Sequence, residues 1–134
     1  MRSMGLKKQV CREFEKAEET LKAAKELLTK GFYADSASRA YYAAFHAVRA
    51  CLFSKQLVPK GHKGVSILFA QHFVKEGVFP QDFSRLLTRL RENREESDYG
   101  YAFMASREDT EERLLDAEKI IDGIKQWLKK ENYL

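Results

Sequence analysis

Apolar side chains recur at helical spacing along the first 28 residues of the chain. Successive members of this stripe are three or four residues apart: Leu6, Val10, Phe14, Ala17, Leu21, Ala24 and Leu28. This spacing predicts a helix that buries one face. A second stripe near the end of the chain has the same spacing: Leu114, Ala117, Ile121, Ile124 and Leu128. Because 134 residues include only two prolines and seven glycines, long helices are favoured over a turn-rich sheet. The sequence predicts an all-α fold.

Glycine and proline divide the first half of the chain. Gly31 stands where a helix would end in a left-handed residue, and Asp35 or Ser36 can cap the next helix. The second helix is therefore expected to begin near Asp35. Residues 54–64 are predicted to form a loop, because they contain three residues that favour turns: Pro59, Gly61 and Gly64.

The second half of the chain contains three further predicted helices. A short helix follows the loop and ends at Gly77, and Pro80 precedes a helix over residues 81–97. Ser106, with Asp109 three residues later, resembles a capping box at the start of the last helix. The connections are short, so we expect an up-and-down bundle of about five helices that forms a single domain over residues 1–134.

Composition sets limits on the class of protein. The formal charge is +4, but 24 Lys and Arg are interleaved with 20 Asp and Glu, which allows nucleic-acid binding without implying it. Cys11 and Cys51 are expected to be reduced thiols in a cytoplasmic protein. No apolar run reaches the roughly 18 residues that a bilayer requires, so no membrane association is expected. No grouping has metal-ligand spacing, and neither a metal nor a cofactor is predicted.

The second helix has two different faces. Small and apolar residues share one of them: Ala37, Ala40, Tyr41, Ala44, Val48, Cys51 and Leu52. The other face, which we call the polar stripe, contains Asp35, Arg39, Tyr42, His46 and Arg49. Its charged and aromatic side chains suit a groove or a contact between subunits.

The stretch "RENREESDYGY", residues 91–101, lies at the end of the fourth predicted helix. Helical spacing places Arg94 on the face that contains Leu87 and Leu90, so we expect it to point inward. A buried guanidinium must be paired, and Asp98 is one turn further along the same face. Two interpretations remain open. The pair closes the helix end with ordinary packing of the neighbouring tyrosines, or the stretch contacts RNA.

Three segments resemble the HEPN domain family: "GFYADSASRAYYAAFHAVRACL", "KGHKGVSILFAQHFV" and "RENREESDYGY". The resemblance covers nearly the whole chain. It implies a bundle of four or five helices, usually a homodimer whose subunits share one cleft. Many family members resemble metal-independent ribonucleases, including toxins that are paired with a small nucleotidyltransferase antitoxin. Their signature is an arginine followed four to six positions later by a histidine, sometimes with a tyrosine two positions beyond.

The chain departs from this signature at the histidine. Counting from Arg94, the histidine position falls on Tyr99 or on its neighbours Asp98 and Gly100, and the trailing tyrosine corresponds to Tyr101. A phenol with a pKa of about 10 is a poor base at neutral pH, whereas an imidazole with a pKa near 6.5 is suitable. RNA or nucleotide binding is therefore expected to survive the substitution better than cleavage does.

Three histidines occur elsewhere in the chain. His46 lies on the polar stripe and could border the same cleft as Arg94, although a lone histidine on a helix is more often structural. His62, between Lys60 and Lys63, would suit a phosphate contact. The favoured interpretation of His62 is an exposed loop, and that of His72 is a helix surface.

The sequence therefore predicts a HEPN-like homodimer that faces RNA or a nucleotide and acts with a nucleotidyltransferase partner. If it is an enzyme, it is a metal-independent endoribonuclease, with Arg94, Tyr99 and Asp98 as candidate catalytic residues. The candidate RNA- or nucleotide-binding residues are Arg91, Tyr101, Arg39, Tyr42, His46 and Arg49. The alternative is a non-catalytic helical protein that dimerises and docks another protein. A small-molecule nucleotide-binding role ranks last, because no phosphate-binding glycine motif is present.

Overall fold

The computed structural model describes residues 4–99 and 106–134, except for the side chains of residues 96–99. The described residues contain no strand and form five α-helices: α1 (Met4–Thr29), α2 (Tyr33–Ser54), α3 (Gly61–Phe69), α4 (Asp82–Tyr99) and α5 (Arg107–Lys130). A π-helical turn, Ala70–Val74, continues α3. The predicted all-α fold is confirmed. No described helix has the length and apolar character that crossing a bilayer requires.

Two helix starts differ from the prediction. Helix α2 begins at Tyr33, slightly before Asp35. Helix α3 begins at Gly61 rather than after Gly64, so the segment "KGHKG" is mostly helical and not loop. Gly61 has a φ of +68°, which lets the chain turn sharply into the helix at a residue without a Cβ. The consequence is that His62 has a fixed position against α2.

The predicted end of α1 and start of α5 are confirmed. Gly31 has a φ of +84°, its N–H donates to the Leu28 carbonyl at 3.0 Å, and the Phe32 N–H donates to the Leu27 carbonyl at 2.9 Å. This pair of bonds is a Schellman motif. At α5, the Ser106 hydroxyl accepts the Asp109 backbone N–H at 3.0 Å, as expected for an N-cap.

Helix α2 is the centre of the bundle, since it packs against all four other helices. Five of its alanines have no exposed surface: Ala40, Ala43, Ala44, Ala47 and Ala50. Small side chains allow neighbouring backbones to approach α2 from several directions. The predicted small and apolar face of α2 is entirely buried.

Aromatic rings fill the core around the C-terminal end of α3. Phe69, Phe73 and Phe79 stack on one another with centroids 5.7 to 5.8 Å apart, and Trp127 of α5 meets Phe73 edge-on at 5.2 Å. Stacked and edge-on pairs of this kind add to the free energy of burial. They attach α3 and its π-helical turn to α5.

Both cysteines are free thiols. Cys51 is fully buried, and burial raises the pKa of its thiol well above the ordinary value. The Cys11 thiol donates to the Tyr133 carbonyl at 2.8 Å.

A shared carboxylate joins α4 to α5. Arg89 Nη2 donates to Asp116 Oδ2 at 2.8 Å, and Arg113 Nε lies 2.9 Å from the same oxygen. The side chains of Asp116 and Arg113 are only 12% and 11% exposed. Two guanidinium groups therefore form ion pairs with one largely buried carboxylate.

Replacing Asp116 with alanine should destabilise the fold, because it leaves two partly desolvated arginines without this partner. We expect Asp116→Ala to lower the free energy of unfolding by about 3 kcal/mol. Denaturant unfolding followed by circular dichroism measures the change. Asp122→Ala is the matched control, since Asp122 is an exposed residue of the same helix, and it should change stability by less than about 0.5 kcal/mol. Equal losses for the two variants would contradict the structural role of this network.

Candidate functional site

Five side chains from three helices meet near the C-terminal part of α4. We call them the Arg94 cluster: Tyr41, Tyr42 and Phe45 of α2, His62 of α3, and Arg94 of α4. Tyr41 and Tyr42 are consecutive, so their side chains leave α2 about 100° apart. One tyrosine hydroxyl bonds to His62 and the other to Arg94.

Arg94 is held against both tyrosines. Its Nη2 donates to the Tyr42 hydroxyl at 3.0 Å, and its guanidinium carbon lies 5.2 Å from the Tyr42 ring centroid and 5.7 Å from that of Tyr41. These distances are those of cation–π contacts. The expectation that Arg94 points inward, toward its neighbours, agrees with this half-buried position.

His62 is fixed on two sides. Its Nδ1 is 2.6 Å from the Tyr41 hydroxyl oxygen, and its ring stacks on Phe45 with centroids 4.5 Å apart. Its centroid is also 5.5 Å from that of Tyr41 and 5.8 Å from that of Tyr42. The imidazole and the Arg94 guanidinium therefore contact the same two tyrosine rings.

The environment shifts the pKa of both hydrogen-bonded partners. Burial raises the pKa of Tyr41 to about 12, although the positive charges of Arg91 and Arg94 act in the opposite direction. Burial also lowers the pKa of His62 below its ordinary value, and the charges of Arg94 and Arg91 lower it further. At neutral pH the phenol keeps its proton and the imidazole is mainly neutral.

Two further residues of the polar stripe face helix α1. His46 Nδ1 lies 2.6 Å from Glu13 Oε2, and Arg49 Nη1 lies 3.6 Å from the same oxygen. These three residues, which we call the Glu13 cluster, line a surface cavity of about 560 Å³ whose rim includes the basic residues Lys8, Arg12 and Lys16. Tyr42 of the predicted stripe therefore belongs to one site, and His46 and Arg49 belong to a neighbouring one.

Phe45 connects the two sites. Its ring centroid is 5.7 Å from that of His46, and the Arg49 guanidinium carbon lies 5.7 Å from the Phe45 centroid. The charge of Arg49 also contributes to the lowered pKa of His62. The Arg94 cluster and the Glu13 cluster are adjacent parts of one polar surface.

The other candidate residues are placed as follows. Arg39 is exposed on α2, and the described part of the chain gives it no ion pair. Arg91 is half-buried one turn before Arg94, and its Nε has no hydrogen-bond partner among the described residues. Asp98 and Tyr99 lie within α4, but their side chains, like all of Tyr101, lie outside the described part. The predicted pair between Arg94 and Asp98 therefore stays a prediction.

Three members of the Arg94 cluster are not among the candidates from the sequence: Tyr41, Phe45 and His62. Tyr41 was assigned to the buried face, which is correct for its ring, since the residue is 1% exposed. Its hydroxyl nevertheless reaches His62. His62 was assigned to an exposed loop. One feature of the sequence could have indicated a role for His62, namely its position between Lys60 and Lys63 near the start of a helix. Helical spacing, however, does not show which distant helix such a residue contacts.

A model of the HEPN domain matches residues 12–127 of the chain. The protein belongs to the HEPN domain family. The match includes every described residue of the Arg94 cluster and most of the Glu13 cavity.

Relatives from archaea and a solved structure agree with this assignment. The chain is 40% identical over 113 residues to “Putative toxin MJ0605” of Methanocaldococcus jannaschii, which covers 84% of both chains. It is 31% identical over 120 residues to “Putative toxin MJ0142” of the same organism, covering 90% of this chain and 82% of the relative. The crystal structure of TT1696 from Thermus thermophilus has a TM-score of 0.74 and 25% identity, covering 88% of this HEPN chain and 97% of that one.

The lowered pKa of His62 predicts how stability depends on pH. The unfolded state takes up a proton near pH 6.5, before the folded state does, so His62 should make the fold less stable as pH falls through about 6.5 and should have no such effect above it. The charged and titratable groups that act on His62 are Arg49, Arg91, Arg94, Glu95 and Tyr41.

We expect His62→Gln to weaken this pH dependence. Free energies of unfolding measured by denaturant titration at about pH 7.5 and pH 5.5 should differ less in the variant than in the natural protein. Glutamine can still hydrogen-bond to Tyr41 but does not titrate. An equal or larger difference in the variant would contradict the assigned direction of the pKa shift.

Proposed function

We propose that the protein is a toxin of the HEPN family that binds RNA and cleaves it without a metal ion. We further propose that it acts as a homodimer of single-domain subunits with a nucleotidyltransferase as its antitoxin. Membership of the family and the names of two relatives support the toxin role. The RNA-directed part of the proposal rests on the geometry around Arg94.

The observation that carries the proposal is the contact of Arg94 with the polar stripe of α2. The guanidinium is anchored by the Tyr42 hydroxyl at 3.0 Å and by two aromatic rings, so its orientation is set before any ligand binds. A planar, permanently charged fork suits a phosphate through paired hydrogen bonds. Arg94 is thus preorganised to stabilise the charge that develops on phosphorus during cleavage.

Arg91 adds a second cation to the same place. Its charge adds to the effect of burial in lowering the pKa of His62, and it opposes the rise in the pKa of Tyr41 that burial causes. Arg91 therefore acts on the cluster from close range. Its buried Nε has no hydrogen-bond partner among the described residues, and a buried donor of this kind is usually satisfied. A phosphate oxygen would satisfy it.

We also propose roles for the tyrosines and the aspartate that follow Arg94, whose side chains lie outside the described part of the chain. Tyr99 would position the ribose or the leaving oxygen, Asp98 would orient Arg94, and Tyr101 would stack on an unpaired base.

In a homodimer, the two copies of the stretch that contains Arg94 and Tyr101 would face one cleft. Sedimentation of the purified protein should give twice the chain mass, and a monomer would contradict the shared cleft.

Cleavage of RNA tests the proposal directly. A pool of single- and double-stranded RNA is incubated with the protein in EDTA, and cleavage is followed on gels. We expect Arg94→Ala to reduce the rate by about 100-fold or more, as is usual when one donor to the transition state is lost. The matched control is Arg85→Ala, because Arg85 is exposed on the same helix and pairs with Asp82. A loss of less than about tenfold for Arg94→Ala would contradict the catalytic role.

A non-catalytic docking role is the second candidate, and one observation favours it. Arg94 joins α4 to α2 through Tyr42, so it could serve the fold alone. A thermal melt of Arg94→Ala separates the two functions. A large loss of stability with no cleavage by the natural protein would support docking, whereas an unchanged melt with lost RNA cleavage would exclude it.

A further inference from the structure

His62 lies where a group that transfers protons during RNA cleavage would be useful. The stretch that follows Arg94 contains no histidine, yet α3 brings an imidazole to the two tyrosine rings that hold the Arg94 guanidinium. We propose that His62 is a catalytic residue of this HEPN protein, which accepts the proton of the attacking ribose hydroxyl beside Arg94. This inference rests on the proposed function.

The His62 ring is held so that Nδ1 bonds to the protein. Tyr41 engages Nδ1 at 2.6 Å, and Phe45 covers one ring face. Within the described part of the chain, Nε2 makes no hydrogen bond. A proton-transferring histidine is commonly arranged in this way, with one nitrogen held by a protein group and the other directed to the substrate.

The protonation state of His62 suits a base. A base must be unprotonated before it reacts, and His62 meets this condition at neutral pH because its pKa lies below the ordinary value. The Tyr41 hydroxyl both donates and accepts hydrogen bonds. It can therefore accept from Nδ1–H, which leaves the lone pair of Nε2 available for a proton.

The cations Arg91 and Arg94 lie near His62. The Arg94 guanidinium and His62 contact the same rings, and the charges of Arg91 and Arg94 act on His62. A phosphate bound by these arginines would lie next to the imidazole. The 2′-hydroxyl adjacent to that phosphate is then the natural proton donor to Nε2.

The proposed step is balanced without a metal or an oxidant. Nε2 takes the proton of the 2′-hydroxyl, and the 2′-oxygen forms a bond to phosphorus. The bond between phosphorus and the 5′-oxygen breaks with its electron pair, and that oxygen takes a proton from water. The products are a 2′,3′-cyclic phosphate and a 5′-hydroxyl, and His62 later returns its proton to solvent.

The test is RNA cleavage in EDTA by the full chain and its His62→Gln variant. We expect the variant to lose about 100-fold or more in kcat, as is typical for a general base, with RNA affinity changed by less than a factor of about 3, since glutamine keeps the bond to Tyr41. His72→Gln is the matched control and should cleave at the natural rate, because His72 lies on the π-helical turn outside the cluster. A thermal melt of each variant shows that it is folded.

Chemical rescue and pH dependence add readouts that a purely structural histidine would not change. Imidazole added to His62→Ala should restore part of the cleavage. The natural protein should lose kcat as pH falls through the lowered pKa of His62, and His62→Gln should not show this dependence. The groups that set this pKa are Arg49, Arg91, Arg94, Glu95 and Tyr41.

The outcomes separate this inference from the proposed function. If the natural protein cleaves RNA, Arg94→Ala is inactive and His62→Gln stays within a factor of about 3 of the natural rate, the role of His62 is overturned and the proposed function stands. If the natural protein cleaves no RNA, the nuclease function is overturned and the role of His62 with it. Loss of cleavage in both variants, with rescue by imidazole, supports both.

Discussion

The structure depends on how closely the other helices approach α2. Five fully buried alanines allow α1, α3, α4 and α5 to pack around one helix. Longer side chains at these positions would push the neighbours outward, because protein cores tolerate little added volume. The close approach of α3 and α4 to α2 also allows the polar contacts of the candidate site. The Tyr41 hydroxyl reaches His62 of α3, and the Tyr42 hydroxyl reaches Arg94 of α4, only because both helices lie close to α2.

Two consecutive tyrosines on this central helix determine the arrangement of the site. A separation of about 100° between neighbouring side chains directs them to different partners. The hydroxyl of Tyr41 holds an imidazole, and that of Tyr42 holds a guanidinium. One turn further along, His46 turns toward Glu13 of α1 instead. A single helix thereby distributes its polar groups between two adjacent surfaces without interrupting the apolar core.

Local patterns in the sequence were sufficient to predict the helices and several of their ends. Gly31 and Ser106 were identifiable because the chemistry of a helix end is carried by one or two nearby residues. The start of α3 differs from the prediction because Pro59, Gly61 and Gly64 also favour a loop, whereas the first turn of α3 packs against α2. The proximity of His62 and Arg94 around the same two tyrosines was not predictable for a different reason. Periodicity places a side chain on a helix face, but contact between residues in different helices depends on how the whole bundle packs.

The electrostatics of the cluster are compatible with the proposed role of His62 as a base. Burial, and then the charges of Arg94 and Arg91, lower the pKa of His62, and a lowered pKa costs the fold stability in acid without a gain at neutral pH. For a base, the same effect keeps the lone pair available. A phosphate bound by the two arginines would add negative charge beside the imidazole, and an opposite charge nearby raises the pKa of a histidine. In the role that we propose, His62 would then bind its proton more strongly when RNA is present, which is the condition in which the proton must be removed.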